Sequence, residues 1–120
     1  MISMQLQMVL KCVKGRLLTQ CGADTEVTSA FSADLMSDVL AMAQPGALLL
    51  TGLNNAQILR TAQVLNLGAV LIARGKTPAQ ILINESNEAE VPLMSTDMTL
   101  YEASAHLYAA GLLPCNINGR

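Results

Sequence analysis

Three short apolar runs at a fixed spacing constrain the fold of this chain more than any other feature. They cover residues 47–51 (ALLLT), 69–73 (AVLIA) and 91–95 (VPLMS), so that successive runs begin 22 positions apart. A continuous apolar run of this length is typical of a strand buried on both faces, because a half-exposed strand or helix would include regularly spaced polar residues. The runs therefore predict strands in the interior of a sheet.

Each run is followed by residues with the spacing of an amphipathic helix. The positions predicted to face the core are Ile58, Leu59, Ala62 and Leu65 in the first segment, Ile81, Leu82 and Ile83 in the second, and Leu100, Ala103, Ser104, Leu107 and Tyr108 in the third. Alternating strands and helices predict β-α-β crossovers, which make neighbouring strands parallel.

Capping residues predict where these helices begin and end. Thr77, Pro78 and Gln80 form the pattern of an N-cap, a first helical proline and a capping-box partner, and Thr99 with Glu102 forms a second capping box. The residues predicted to end helices are Gly68 and Gly111, with Leu112 making the apolar contact beyond the second.

The first 45 residues predict a helix from a Ser3 N-cap to Gly15, short strands at 16–20 and 27–31, and a helix capped by Ser32. The predicted buried positions are Leu6, Val9, Leu10 and Val13 in the first of these helices, and Leu35, Met36, Val39 and Leu40 in the second.

Together, the predicted elements form an α/β fold with three layers: a mainly parallel sheet built from consecutive β-α units, with an N-terminal helix and short strands. No linker divides the chain, so one domain is expected over residues 1–120, with a core at 30–112 and a loosely ordered tail at 114–120.

Polar residues and glycines follow all three apolar runs. In a parallel sheet these strand-end loops meet at one edge, which is where ligands bind. The candidate ligand-binding residues are Thr51, Gly52, Asn54, Arg74, Gly75, Lys76, Thr96 and Asp97. One of Asn54 and Asn55 is expected to serve only as a helix N-cap. Arg60 is expected either to face these loops or to lie on the surface.

The segment 74–77 (RGKT) ends like a phosphate-binding P-loop. The full pattern GxxxxGKS/T requires a glycine five residues before Gly75, where this chain has Val70 inside a predicted strand. A Walker A motif is therefore excluded. Two interpretations remain: a helix N-terminus that binds a phosphate or carboxylate together with Arg74 and Lys76, or a solvated turn that only starts a helix.

Other titratable residues point to no chemistry of their own. Asp34 and Asp38 lie one helical turn apart and form either a pairing or metal-binding couple or a solvated acidic edge. His106 is the only histidine, so no histidine-based metal site forms within one chain, and the nucleophile-elbow pattern GxSxG does not occur. We expect no catalytic residues, no metal and no cofactor.

Composition excludes several classes of protein. The net charge is -2 and the seven Lys and Arg are scattered, which argues against nucleic-acid binding. No apolar run approaches the roughly 20 residues of a membrane span. The N-terminus lacks the leading positive charges of a signal peptide, and the three cysteines form no CxxC pair, so a cytoplasmic protein with reduced thiols is expected. The 52% hydrophobic content predicts that a second copy covers apolar surface, as in a homodimer.

Several segments, taken in order, carry a resemblance to a known family. They are DLMSDVLA at 34–41, TGL at 51–53, RTA at 60–62, RGK at 74–76 and LYAAGL at 107–112. Together they resemble a DRTGG domain of the small stand-alone type. The stretch that names the family would fall at 24–30, where this chain keeps the aspartate but lacks the two glycines. The resemblance therefore carries over no ligand that depends on those glycines.

The resemblance implies an α/β fold, frequent dimers and a regulatory or ligand-sensing role without established chemistry. It also implies kinship with the N-terminal domain of HPr kinase/phosphorylase and, for stand-alone versions, a companion in hydrogenase or NADH-oxidising complexes. Our leading hypothesis is a non-catalytic regulatory module that binds a small anionic ligand, a nucleotide or phosphometabolite, at the strand-end loops. The alternative is a protein-interaction subunit, dimeric or associated with a redox complex, with no small ligand.

Overall fold

A computed structural model describes residues 3–116 of the chain. The strands in this part are β1 (Met4–Gln5), β2 (Arg16–Leu17), β3 (Glu26–Val27), β4 (Ala30–Ser32), β5 (Leu48–Thr51), β6 (Ala69–Ile72) and β7 (Leu93–Ser95). The helices are α1 (Leu6–Val13), α2 (Met36–Met42), α3 (Ala56–Leu65), α4 (Gln80–Glu88) and α5 (Leu100–Ala109). The three apolar runs therefore form β5, β6 and β7, as predicted.

These three strands lie side by side in a five-stranded sheet of order β2-β7-β6-β5-β4. All neighbours from β4 to β7 are parallel, and β2 pairs antiparallel with β7 at one edge. One hydrophobic core joins the sheet to α2, α3 and α4, and a second joins it to α1 and α5. Leu49 belongs to the first core and Leu48 and Leu50 to the second, as the two-residue period of a strand requires. The three-layer, mainly parallel α/β fold is confirmed.

The N-terminal strands are shorter than predicted. Only Arg16–Leu17 of the predicted strand 16–20 pairs with β7. The predicted strand 27–31 is divided: Val27 pairs with Met4 in a separate two-stranded sheet, and the chain then enters the main sheet as β4.

The ends of α1 and α2 also differ from the prediction. Ser3 donates a hydrogen bond to Glu26 and is not the N-cap of α1, which is Gln5. The left-handed residue after α1 is Lys14 rather than Gly15. Ser32 belongs to β4, so it does not cap α2, which begins only at Met36.

Gly68 does not end α3, because Asn66 occupies the left-handed position with φ 54. A methyl group placed on Gly68 would lie 2.8 Å from the Gly46 carbonyl oxygen, so the glycine allows two backbone segments to approach. Thr77 does not cap α4, which begins at Gln80 after an extended Ala79 and has no side-chain cap.

The capping box of α5 is confirmed. The Thr99 hydroxyl oxygen accepts from the Glu102 N–H at 3.2 Å, and Glu102 Oε1 accepts from the Thr99 N–H at 3.0 Å. Gly111 follows the helix with φ 106, and Leu112 is buried beyond it. The sequence pattern was sufficient here because both partners lie within one turn.

Four residues predicted to face the core are exposed: Leu35, Leu40, Ile81 and Tyr108. In α4 the buried residues are Leu82 and Ser86, which lie four positions apart on one face.

No helix among the described residues is long and apolar enough to cross a membrane. After α5 the chain returns to the edge of the sheet, where Ala30 accepts from the Cys115 N–H and donates to the Leu113 carbonyl oxygen, both at 3.0 Å. Residues 117–120, the end of the predicted tail, lie outside the described residues.

Candidate functional site

The carboxyl ends of β4, β5, β6 and β7 lie at one edge of the sheet because these strands are parallel. The loops that leave this edge are residues 33–35, 52–55, 73–79 and 96–99, and together we call them the rim. The helices after β4, β5 and β6 pack in one core, whereas α5, after β7, packs in the other. The loops after β6 and β7 therefore turn toward opposite faces, an arrangement at which parallel sheets form ligand crevices.

Asp34 joins the first two loops of the rim. Its Oδ1 accepts a hydrogen bond from the Gly52 N–H at 2.6 Å and another from the Thr51 hydroxyl at 3.0 Å. Thr51 Oγ1 in turn accepts from the Leu53 N–H at 3.2 Å. Amide and hydroxyl donors of this kind are also the groups that bind a phosphate or carboxylate ligand.

Sequence reasoning left Asp34 out of the candidate site and considered it only as a helical neighbour of Asp38. Because α2 begins at Met36, Asp34 lies before the helix and Asp38 within it. The signal that identifies Asp34 is the strand before it. Once Ala30–Ser32 is recognised as a fourth parallel strand, Asp34 becomes the second residue of a strand-end loop.

Arg74 and Lys76 extend over the same region of the rim. Lys76 Nζ donates to the Gly52 carbonyl oxygen at 2.8 Å. A methyl group placed on Gly52 would lie 3.5 Å from Arg74 Nη2 and 3.3 Å from Asp34 Oδ2. Neither cation forms an ion pair with another residue in the range 3–116. Two cationic groups thus lie beside Gly52, and the Asp34 carboxylate on the same side of Gly52 is not within ion-pair distance of either.

The loop that carries Arg74 and Gly75 is fixed against the loop after β7. Both residues are left-handed, with φ 64 and 68. The Arg74 N–H donates to the Met98 carbonyl oxygen at 2.8 Å, and the Gly75 N–H donates to the Thr96 carbonyl oxygen at 2.6 Å. A methyl group on Gly75 would lie 2.7 Å from Asp97 Oδ1, and φ 68 disfavours any side chain, so both features favour glycine at this position.

Thr96 and Asp97 are neighbours in the chain but differ in environment. Thr96 is fully buried, and its hydroxyl donates to the Val13 carbonyl oxygen at 2.6 Å and accepts from the Met98 N–H at 3.2 Å. The Asp97 side chain is 87% exposed and lies 3.8 Å from Arg16 Nη1. The hydroxyl proton of Thr96 is therefore engaged inside the fold, while Asp97 faces solvent.

The late start of α4 corrects one detail of the anion-binding interpretation. Thr77 lies three residues before the helix, so α4 does not begin directly after Arg74 and Lys76 as that interpretation required. Any anion at this part of the rim would be held by the two side chains and the backbone near Gly52.

The structure gives different positions to Asn54, Asn55 and Arg60, which the sequence had left open. Asn55 is the N-cap of α3, with Oδ1 accepting from the Gln57 N–H at 3.1 Å, whereas Asn54 is exposed. Arg60 lies in a surface groove between α3 and α4 with two glutamates of α4, rather than among the loops.

Ser95 is a polar position that the candidate list did not include. It pairs with Ile72, which pairs with Thr51, so these residues form the last row of the sheet before the rim. The Ser95 hydroxyl is buried and has no hydrogen-bond partner within residues 3–116. An unpaired buried hydroxyl costs about 1–3 kcal/mol, so such groups are uncommon without a functional or solvent contact.

No metal-binding arrangement is present among the described residues. No group of three or more His, Cys, Asp or Glu side chains in that part of the chain is placed to hold an ion. His106 is exposed on α5.

A separate apolar cavity of about 250 Å³ lies between β4 and α5. It is lined by Phe31, Leu50 and Leu107 among others. The hydroxyls of Ser32 and Ser104 are hydrogen-bonded to each other at 2.7 Å at this site.

Comparisons with known proteins agree with this architecture. The chain is similar to the crystal structure of the CBS and DRTGG domains of the regulatory region of Clostridium perfringens pyrophosphatase, complexed with its activator, diadenosine tetraphosphate. The TM-score is 0.70 at 14% sequence identity, a likeness of fold. The match covers 92% of this chain and 47% of that chain, so this chain spans about half the length of that structure.

No curated protein matches this sequence. The family model of the DRTGG domain matches residues 8–110, which include β4 to β7, all four loops of the rim and α5. On this match, and with the fold described above, the chain belongs to the DRTGG domain family.

Proposed function

We propose that this chain is a cytoplasmic, non-catalytic regulatory module that binds a small anionic ligand, a nucleotide or phosphometabolite, at the rim. The observation that carries the proposal is the position of Arg74 and Lys76 beside Gly52, where neither has an ion-pair partner among residues 3–116. The related pyrophosphatase region is complexed with diadenosine tetraphosphate, which supports nucleotides as the first ligands to test.

The proposed contacts come from three strand ends. Thr51 is the last residue of β5, Gly52 and Asn54 lie in the loop after it, and Arg74, Gly75 and Lys76 lie in the loop after β6. Thr96 and Asp97 come from the loop after β7, and of these Asp97 is the exposed one. Such a site favours a polyanion as its ligand, because charge-assisted hydrogen bonds from Arg and Lys are about twice as strong as neutral ones.

Calorimetric titration tests the proposal. Wild-type protein is titrated with diadenosine tetraphosphate, ATP, AMP and inorganic pyrophosphate, and the titrations are repeated with Arg74→Ala/Lys76→Ala. A matched control, Lys11→Ala/Arg60→Ala, removes the same charge from residues outside the four loops of the rim. We expect at least roughly tenfold weaker binding in the first double variant and little change in the second. Equal affinity in wild type and the Arg74/Lys76 variant would remove these residues from the site.

Gly52→Ala provides a test that changes no charge. The added methyl group would occupy the space between Arg74 Nη2 and Asp34 Oδ2. We expect it to weaken binding while the fold persists, because its nearest contacts are side-chain atoms at 3.3 Å or more.

A second candidate function is a protein-interaction subunit, and the exposed apolar surface favours it. Tyr108 and Leu113 are 63% and 52% exposed and flank Pro114, which lines the apolar cavity at the β4 edge. This surface is our proposed homodimer contact. A companion in a hydrogenase or NADH-oxidising complex is the other partner in this proposal, and affinity capture from the native cell tests it.

A further inference from the structure

We infer that Asp34 is a built-in competitor for the anionic ligand, so that binding at the rim requires its carboxylate to leave Gly52. This inference rests on the proposed function and adds a regulatory contact to the same site. It begins from the two hydrogen bonds that Asp34 Oδ1 accepts, from the Gly52 N–H and from the Thr51 hydroxyl.

The bond to Gly52 has the geometry of a charge-assisted contact. Its N···O distance of 2.6 Å is shorter than the usual range of about 2.7–3.2 Å for N–H···O bonds, and bonds to an ionised acceptor are the shorter ones. A carboxylate therefore occupies a backbone donor that lies beside Arg74 and Lys76. In the described structure this donor is already used by an anion from the chain itself.

Asp34 and a bound phosphate cannot share this place. The position that a Cβ would take on Gly52 is 3.3 Å from Asp34 Oδ2 and 3.5 Å from Arg74 Nη2, so the carboxylate and the guanidinium lie on the same side of Gly52. A phosphate oxygen that accepted from the Gly52 N–H beside Arg74 would have to take the position of Asp34 Oδ1, or lie directly against that carboxylate. Two anions at such a separation repel strongly, so one of them has to leave.

The surroundings of Asp34 allow the side chain to leave at small cost to the core. It lies on the three-residue loop 33–35 between β4 and α2, and the next residue, Leu35, is 60% exposed. Asp34 is itself exposed, and α2 begins without a side-chain cap, so helix formation does not depend on Asp34 as a cap.

The contact between Asp34 and Gly52 also makes the site selective, because a ligand has to offer more negative charge than one carboxylate to replace it. The expected ligand class is therefore a phosphate ester or polyphosphate carrying at least two charges.

The test compares Asp34→Asn and Asp34→Ala with the matched control Asp38→Asn. Asp38 is an exposed aspartate in the same part of the chain, and no described hydrogen bond involves its side chain. The probe is inorganic pyrophosphate, titrated by calorimetry, with circular dichroism as the check on folding. Asp34→Asn keeps the size of the side chain and removes its charge, while Asp34→Ala also frees the Gly52 N–H.

We expect both Asp34 variants to bind pyrophosphate roughly tenfold tighter or more than wild type, and Asp38→Asn to bind within about twofold of wild type. Folded Asp34 variants that bind as weakly as wild type, or more weakly, would overturn the inference, because Asp34 would then support the loop or contact the ligand directly. An equal gain in Asp38→Asn would also overturn it, since net charge alone would explain the result.

The same titrations separate this inference from the proposed function. If Arg74→Ala/Lys76→Ala loses pyrophosphate binding while the Asp34 variants match wild type, the site stands and the competitor role falls. If no variant binds pyrophosphate, including Asp34→Ala with its freed amide, both are overturned.

Discussion

Gly68 illustrates how a single residue is selected by neighbours that are distant in sequence. A methyl group there would lie 2.8 Å from the Gly46 carbonyl oxygen and 2.9 Å from Val27 Cγ1. At Gly52 the equivalent contacts are side-chain atoms no closer than 3.3 Å. The two glycines therefore have different roles. Gly68 allows two backbone segments to pack closely, whereas Gly52 leaves space for the side chains of Asp34 and Arg74.

We predict that Gly68→Ala lowers the free energy of unfolding by about 1–3 kcal/mol, because the backbone of Gly46 cannot move aside as a side chain can. Gly52→Ala is the control and is expected to lose less. Urea denaturation of both variants measures the difference. Equal losses would mean that the close approach at Gly68 does not limit packing.

Residue-level features were predictable from sequence only where the cause was local. The Thr99 capping box was found because its partner is three residues away. Gly68 was assigned to a helix end because the sequence displays the glycine but not the Gly46 carbonyl that faces it. Asp34 was missed for a similar reason, since its partner Gly52 lies on the next strand-end loop.

At the scale of elements, the three interior strands β5, β6 and β7 followed directly from sequence, whereas the starts of α2 and α4 did not. A short, continuous apolar run fits a strand that is buried on both faces of a sheet, and no other element explains it as well. The consecutive Ile81, Leu82 and Ile83 are compatible with several helix starts, and the observed start at Gln80 leaves Ile81 68% exposed. Tertiary contacts, which the local pattern does not contain, decide between those starts.

The start of α5 gives a pH-dependent prediction. Hydrogen bonds from the Thr99 backbone N–H and hydroxyl lower the pKa of Glu102 below its ordinary value of 4.5. A carboxylate with a lowered pKa in the folded state contributes stability that is fully present above its ordinary value. That contribution is lost as the pH falls through the lowered value.

Glu102→Gln should therefore be less stable than wild type near pH 7, with a difference that disappears in acid as Glu102 takes up its proton. Thermal denaturation of both proteins across this pH range provides the measurement. Glu88→Gln removes the same charge outside a capping box and should show no such pattern. A Glu102→Gln difference that persists unchanged in acid would contradict the capping role.

At the scale of the whole molecule, strand direction is what made a candidate site predictable. Parallel strands bring residues from separate loops to one edge, and the structure brings Thr51, Gly52, Arg74 and Lys76 together there. Edge strand β4 was only partly recognised, so the fourth loop of the rim was left out. The exposed apolar side chains include Tyr108 and Leu113, which lie beside Pro114 at edge strand β4.

We predict that the protein sediments at micromolar concentration with twice the 12.7 kDa mass of one chain. Tyr108→Glu and Leu113→Glu should each yield monomer, because a charge would be buried in an apolar contact. Ile81→Glu alters an apolar side chain on α4 that is at least as exposed, and this variant should remain dimeric. A wild-type protein of 12.7 kDa would exclude the homodimer.

The central claim is that an anionic ligand binds at the rim, and amide chemical shifts test it most directly. Isotope-labelled protein is titrated with diadenosine tetraphosphate while backbone resonances are followed. We predict that the largest shifts occur at Gly52, Leu53, Gly75 and Lys76. Shifts confined to residues around the β4–α5 cavity, such as Phe31, or no shifts at saturating concentration, would contradict the claim.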